Sequence, residues 1–388
     1  MKNIALIFGT RPEAVKLAPI IKALEDDPRF RPLLISTGQH REMLDSTLTE
    51  FGIVPDIDLK VMREGQNLSQ VTHRILEGIS TGNHLEGMDA VLVHGDTAST
   101  VAGALAGLHS QVPIIHVEAG LRSGNNMSPY PEEANRKLVA QIASLHLAPT
   151  PGNSANLIRE GIKESRIVVT GNTIVDALRW GLENLGSYGD PALEDLDHDS
   201  RKVIVATTHR RESLGKPMEE IAGSLRDIAT NPGVRIVVPV HLNPRVRSVV
   251  FPILSGLDNV TLVDPLPYLS FCRLLVRSDI ILSDSSGAEE EGPALGKPTL
   301  VLRDITERQE SILTGSSRLV SRTRSHIVSE VNQLLEDEHV YREMSTAINP
   351  YGDGRATQRT IGALAHYFGL GPAIMPFVPG AEPVGIAA

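Results

Sequence analysis

The sequence predicts an α/β protein of two Rossmann-like domains, each built on a parallel sheet, and three observations carry that reading. Short β-branched runs alternate with helix-length amphipathic stretches from end to end, the pattern of repeated βα units. Runs such as Val203-Ile204-Val205 show no polar alternation, as expected of strands covered on both faces. The chain has 388 residues, 41% of them hydrophobic and 22% charged. At about 150 residues per domain that is enough apolar material for two cores.

In chain order, strands are expected at residues 3–8, 31–36, 90–94, 113–117, 145–148 and 167–169, and again at 202–207, 234–238, 260–263, 279–282 and 298–302. Helices are expected between them at 12–24, 69–79, 97–108, 132–143, 218–229 and 325–335, where apolar residues recur at helical spacing. The acidic, turn-rich segment 187–200 opens the second repetition, and a last helix covers 357–368. The expected organisation is a first domain over 1–170, a second over 171–354, and a closing helix at 355–370. A mobile tail is expected at 371–388, which carries four prolines, three glycines and a single charge, Glu382.

Composition removes several classes of function. Lys plus Arg number 37 against 47 Asp plus Glu, a net charge of −10, so no nucleic-acid partner is expected. Cys272 is the only cysteine, which rules out an intrachain disulfide and a cysteine-based metal cluster and suits a reducing cytoplasm. The apolar run 4–8 is too short for a signal-peptide core. The uncharged stretch 97–117 is broken by His109, Ser110, Gln111, Pro113 and His116, so no membrane partner is expected.

Two familiar motifs are missing. There is no G-x-G-x-x-G, and so no support for a bound dinucleotide. Gly292-Pro-Ala-Leu-Gly296-Lys297 is one residue short of a phosphate loop and is followed by Pro298. With no H-E-x-x-H either, neither a cofactor nor a metal is expected.

What is present gathers at strand ends, where open parallel sheets bind ligands. In the first half, Gly9, Thr10, Arg11, Pro12 and Glu13 follow one strand, with Lys16 a turn later. His94, Gly95, Asp96 and Thr97 follow another; Glu118, Ala119, Gly120, Leu121 and Arg122 a third. Ser128-Pro-Tyr-Pro131 then leads to Glu132, Glu133 and Arg136. Asp96 also reads as a helix N-cap, and Glu132 and Glu133 as acids complementing a helix dipole. Together the carboxylates suit proton transfer, because crowding raises their pKa values. In the second half, His209, Arg210 and Arg211 follow one strand. Ser285, Ser286 and Gly287 open a helix whose N–H groups suit a phosphate, and Glu291 lies one turn on, in reach of a ribose. Arg303, Asp304, Glu307 and Arg308 return at the next strand end. Phe271 and Leu266 suit either a uracil-sized base or ordinary core packing. The expectation is a nucleotide-sugar enzyme with a diphosphate on the second domain and acid/base carboxylates on the first.

The segments Phe8-Gly-Thr-Arg-Pro-Glu-Ala14, Val93-His-Gly-Asp-Thr97, His116-Val-Glu-Ala-Gly-Leu-Arg122, Ser128-Pro-Tyr-Pro-Glu-Glu133, Thr170-Gly-Asn-Thr173, His209-Arg-Arg-Glu-Ser213, Pro239-Val-His-Leu-Asn-Pro244, Gly296-Lys-Pro298 and Asn349-Pro-Tyr-Gly-Asp-Gly354 resemble those of the non-hydrolysing UDP-N-acetylglucosamine 2-epimerases. The resemblance implies a GT-B fold with two Rossmann-like domains facing across a cleft, a last helix returning to the first domain, and a homodimer. It implies interconversion of UDP-GlcNAc and UDP-ManNAc through elimination of UDP and a 2-acetamidoglucal, with a UDP-sugar as the ligand and no cofactor. It makes Asp96, Glu118 and Glu132 acid/base residues and His209 a UDP ligand important for activity. Arg11 and Lys16 would meet the substrate near its phosphates, Ser285, Ser286 and Gly287 the diphosphate, Glu291 the ribose, and Phe271 the uracil; Arg308 would complete the pocket. Gln39, His40, Arg41, Arg210 and His241 match part of a site at which some bacterial members bind a second UDP-GlcNAc as activator. Departures stand at Leu266, Ser286 and Gln309, and at Glu42 and Gly65 in the activator site. A hydrolysing epimerase, a glycosyltransferase of the same fold and a silent UDP-sugar sensor remain the competing readings.

Overall fold

A computed structural model describes residues 1–39, 41–63 and 65–380, with the backbone alone at Arg41, Glu42 and Arg211. Over the described residues it contains two compact units, Met1–Ala177 together with 351–380, and Leu178–Pro350.

The first unit is built on a seven-stranded sheet of β1 (Lys2–Phe8), β2 (Phe30–Ser36), β3 (Ile57–Asp58), β4 (Ala90–His94), β5 (Ile114–Val117), β6 (Leu145–Ala148) and β7 (Ile167–Val169), in the order β3-β2-β1-β4-β5-β6-β7. Every pairing is parallel. β1 reads apolar without alternation because Ile4 through Phe8 are all buried. Ala5 and Ile7 pack with Val91 and Val93 beneath Val71, Ile75 and Ile79 of the helix Leu68–Thr81 and the alanines of the helix Ala98–His109. A Cβ at Gly103 would stand 3.0 Å from Val93 Cγ1, so this glycine lets the helix lie directly on the sheet.

The second unit has six parallel strands, β8 (Lys202–Thr207), β9 (Val234–Pro239), β10 (Val260–Val263), β11 (Ile280–Ser283), β12 (Thr299–Val301) and β13 (Ser317–Leu319), in the order β10-β9-β8-β11-β12-β13. The period of two is visible here. Ile204, Ile236, Ile280 and Leu282 join one core with Ile221, Leu225 and Val331. Val203, Val205, Val237 and Ile281 join another with Tyr188, Leu193, Leu196 and Leu274. The turn-rich segment 187–200 is therefore part of this unit's core, through Tyr188, Leu193 and Leu196.

Two of the strands are not among those expected. Ile57–Asp58 and Ser317–Leu319 are edge strands of two and three residues, too short to set up a hydrophobic pattern. The expected mobile tail is also corrected over its described part. Phe377 is buried, donates its N–H to Val169 O at 2.8 Å, and lies under the Arg359 guanidinium. Its apolar side chain outweighs the proline- and glycine-rich composition; residues 381–388 of the expected tail lie outside the described residues. The last helix, Ala356–Tyr367, packs on the helix Arg11–Asp26. Its first turn is held by Asp176, whose carboxylate accepts from the N–H groups of Ala356 (3.2 Å) and Thr357 (2.8 Å). Among the described residues no helix is long and apolar enough to cross a membrane.

His116 on β5 and His146 on β6 are register partners and fully buried. Burial pushes them down to about 4 and about 3, below the ordinary histidine value near 6.5, so both are neutral in the fold. The unfolded chain takes up protons below pH ~6.5 that the folded chain refuses until near pH 4, so stability falls with falling pH across that window. Urea unfolding between pH 7 and 4.5 should show this decline. His146→Leu should flatten it by about one proton, or ~1.4 kcal/mol per pH unit.

Candidate functional site

Strand order reverses between β1 and β4 in the first sheet and between β8 and β11 in the second. Open sheets bind ligands beyond the carboxyl ends of such strands, and in each unit the candidate residues stand at its own strand ends.

In the first unit the loop after β1 is tied to the loop after β4 by Glu13. Its carboxylate is buried and accepts from the N–H groups of Gly9 (3.0 Å) and Thr10 (2.9 Å) and from Thr97 Oγ1 (2.7 Å). Burial pushes the Glu13 carboxyl up while these donors pull it down. Thr10 and Glu13 also form a capping box that starts the helix Arg11–Asp26. Arg11 therefore stands at the first helical position, and Lys16 faces inward a turn later, buried.

Lys16 Nζ is bonded to Glu118 Oε1, which also accepts from Asn172 Nδ2 at 3.2 Å. Glu118 is buried and sits just past β5 with φ +62°, a left-handed conformation that costs on the order of 1–3 kcal/mol in a non-glycine residue and marks functional sites. His94 Nε2 lies 3.9 Å from Glu118 Oε2. Burial pushes His94 down to about 4, with Glu118 and Asp96 drawing it up and Lys16 and His116 drawing it down. His94 is thus a neutral imidazole in a nest of charges.

Asp96 is not a helix N-cap. Thr97 takes that role, accepting from Thr100 N. The Asp96 carboxylate instead pairs with Arg136, whose Nε donates at 2.8 Å and whose Nη2 lies at 2.6 Å. Arg136 reaches it from the helix Glu132–Ile142, and Asn135 Nδ2 donates to the Asp96 carbonyl at 2.7 Å. Of the two glutamates opening that helix, Glu133 is fully buried and folds the preceding loop, accepting from Ser123 N (2.9 Å) and Gly124 N (3.1 Å). Glu132 is half-buried.

In the second unit the loop after β8 carries His209, about four-tenths exposed, with Nδ1 3.6 Å from Asp284 Oδ1. Its ring stacks on His241 at 5.6 Å. Ser285 is the N-cap of the helix Ser286–Ala294, so Ser286 and Gly287 form its first turn. Glu291 is buried on that helix, and Leu266 belongs to the core that Phe271 packs against. Arg308 is committed to carboxylates, with Nε to Glu290 at 2.7 Å and Nη1 to Glu307 at 2.6 Å. Arg303 similarly binds Glu289 and Glu307.

The residues suggested for an activator site are spread over both units. Gln39 accepts from Ser99 Oγ at 2.9 Å in the first unit. Arg41 begins the helix Arg41–Glu50, and His40 lies outside the described residues. Arg210 donates from Nε to the Asp284 carbonyl at 2.7 Å, and His241 stacks on His209, so both lie at the strand ends of the second sheet. Glu13 and Asp284 are the residues whose importance the sequence did not disclose. The T-x-x-E spacing of Thr10 and Glu13 was a legible signal for the first; no comparable spacing marks the second.

Among the described residues no cluster of three or more His, Cys, Asp or Glu is placed to hold a metal ion. A Cβ at Gly9 would stand 1.9 Å from Thr37 Oγ1 and 2.4 Å from Ser99 Oγ. Gly9→Ala should therefore destabilise the first unit by about 1–3 kcal/mol through overpacking, seen as a lowered thermal midpoint.

The UDP-N-acetylglucosamine 2-epimerase family matches this chain over residues 22–365. The UDP-N-acetylglucosamine 2-epimerase of Escherichia coli K12 is 49% identical over 370 residues, covering 93% of this chain and 98% of its own. Among solved structures, the S. aureus MnaA–UDP co-structure superposes with a TM-score of 0.90 at 42% identity, covering 97% of this chain and 100% of its own. The Neisseria meningitidis UDP-GlcNAc 2-epimerase bound to UDP-GlcNAc gives 0.87 at 41% identity, with 94% and 100% covered.

Proposed function

Because the chain belongs to the UDP-N-acetylglucosamine 2-epimerase family, we propose that it interconverts UDP-GlcNAc and UDP-ManNAc by the non-hydrolysing route. The observation that carries the reading is the buried Lys16–Glu118 pair. A carboxylate held in left-handed backbone at a strand end, with a cation and an amide on one oxygen, is a preorganised proton-transfer group. Glu118, Asp96 and Glu132 serve as the acid/base set. Removal of the proton at sugar carbon two expels UDP and leaves 2-acetamidoglucal; a proton returned to the opposite face, followed by re-addition of UDP, gives the epimer. Arg11 and Lys16 meet the substrate near its phosphates. His209, the turn Ser285-Ser286-Gly287 and Glu291 hold the diphosphate and ribose, Phe271 lies by the uracil, and Arg308 completes the pocket by ordering its loop through Glu290 and Glu307.

We further read the enzyme as a cytoplasmic homodimer supplying UDP-ManNAc for cell-envelope polysaccharide. A buried cysteine outside any disulfide, Cys272, suits the reducing compartment.

Two measurements test the reaction. In deuterated water, product UDP-sugar should carry deuterium at carbon two, as proton NMR will show. Full retention of the original hydrogen would exclude the elimination, and free ManNAc without UDP-ManNAc would select hydrolysis. Asp96→Asn, Glu118→Gln and Glu132→Gln should each lower turnover on the order of 10²–10⁴-fold with the fold intact; near-normal rates in all three would reduce them to structural acids.

A further inference from the structure

At the strand ends of the second sheet stands a buried carboxylate, Asp284, to which the reaction above gives no task. Asp284 immediately follows β11, with its side chain fully buried. Oδ1 and Oδ2 share the N–H of His209 at 3.0 and 3.1 Å, and Oδ2 accepts from Arg210 N at 3.1 Å and Ser213 Oγ at 2.7 Å. The backbone of the same residue accepts Arg210 Nε and donates its own N–H to Thr207 O at 3.2 Å. The loop that follows β8 is thus wrapped around a single carboxylate. The His209 side chain on this loop is turned outward, about four-tenths exposed.

We propose that Asp284 is a positioning residue for His209, holding a proton on Nδ1 of the free enzyme and so leaving Nε2 to take up the proton that it then donates to the diphosphate. The inference rests on the reading of His209 as a UDP ligand. Nδ1 stands 3.6 Å from Asp284 Oδ1. A bare Nδ1 lone pair at that distance would face a second acceptor, whereas an Nδ1–H is attracted, so the carboxylate selects the tautomer less populated in free histidine. His241 closes the other side by stacking at 17° to the His209 ring. His241 Nδ1 accepts from Asn243 N at 3.1 Å, and burial lowers its pKa, so the stacking partner is a neutral ring of fixed orientation. Asp284 also immediately precedes Ser285, the N-cap of the helix Ser286–Ala294. One carboxylate therefore registers the imidazole and the first turn of that helix to each other.

The test is nitrogen-15 NMR of histidine-labelled protein, with the His209 signals assigned by their loss in His209→Asn. The expected result is an Nδ1-protonated, Nε2-bare ring in the wild type and reversion to the Nε2–H form in Asp284→Asn. An Nε2–H ring in the wild type would overturn the proposal, and this measurement needs no variant of Asp284 to fold. For turnover, Asp284→Asn should lose on the order of 10-fold to 100-fold in kcat/KM, as other partners that orient a histidine do. The double variant with His209→Asn should fall no further than His209→Asn alone. Losses that multiply in the double variant would make Asp284 merely structural and sink the inference while leaving His209 in the site. Wild-type turnover and UDP binding in His209→Asn would instead remove His209 from the site, and the inference with it.

Discussion

Where a parallel sheet reverses its strand order, two loops lie side by side without a covalent link, each offering backbone N–H groups that no strand pairs. Each unit of this protein joins those loops with a buried carboxylate. Glu13 does so across β1 and β4, and Asp284 across β8 and β11. Buried N–H groups must find acceptors, and a charged acceptor makes stronger bonds than a neutral one. The same two bonding sets fix the positions from which Lys16 and His209 extend. In the proposed reaction, the positions of Lys16 and His209 depend first on these carboxylates.

Charge is handled by pairing throughout. Glu289, Glu290 and Glu307 are buried against Arg303 and Arg308, and burial still pushes the Glu289 carboxyl up. A cluster of this kind contributes little net stability, because desolvation offsets most of the attraction. What it supplies is a rigid position for the loop after β12, since removal of any one partner strands the others unpaired in low dielectric.

Much of this was legible in the sequence. Unbroken β-branched runs marked the central strands, and the carboxylates at 96 and 118 declared themselves by standing just past such runs. The edge strands Ile57–Asp58 and Ser317–Leu319 were not legible, because two or three residues cannot show a period. Composition misled at Phe377, where one buried aromatic ring decides the fate of a segment otherwise rich in proline and glycine. Asp96 read equally well as a cap or as a site residue; the cap reading fails because Thr97 caps the helix, and Asp96 pairs instead with Arg136, forty residues on. Asp284 was hidden for a related reason, since its partners come from a loop distant in the chain.

The return of the chain after Tyr351 has a consequence for biosynthesis. The first unit is discontinuous in sequence, because Ala356–Tyr367 packs on Arg11–Asp26 and Phe377 pairs with Val169. Among the described residues the second unit is an uninterrupted stretch, Leu178–Pro350. Domains fold as units as the nascent chain emerges, ordinarily from the N-terminus onward. Here the unit that begins first lacks its closing helix until the whole of the second unit has been made. Completion therefore runs against the direction of synthesis, and the side of the helix Arg11–Asp26 that meets the last helix waits uncovered while the second unit is made.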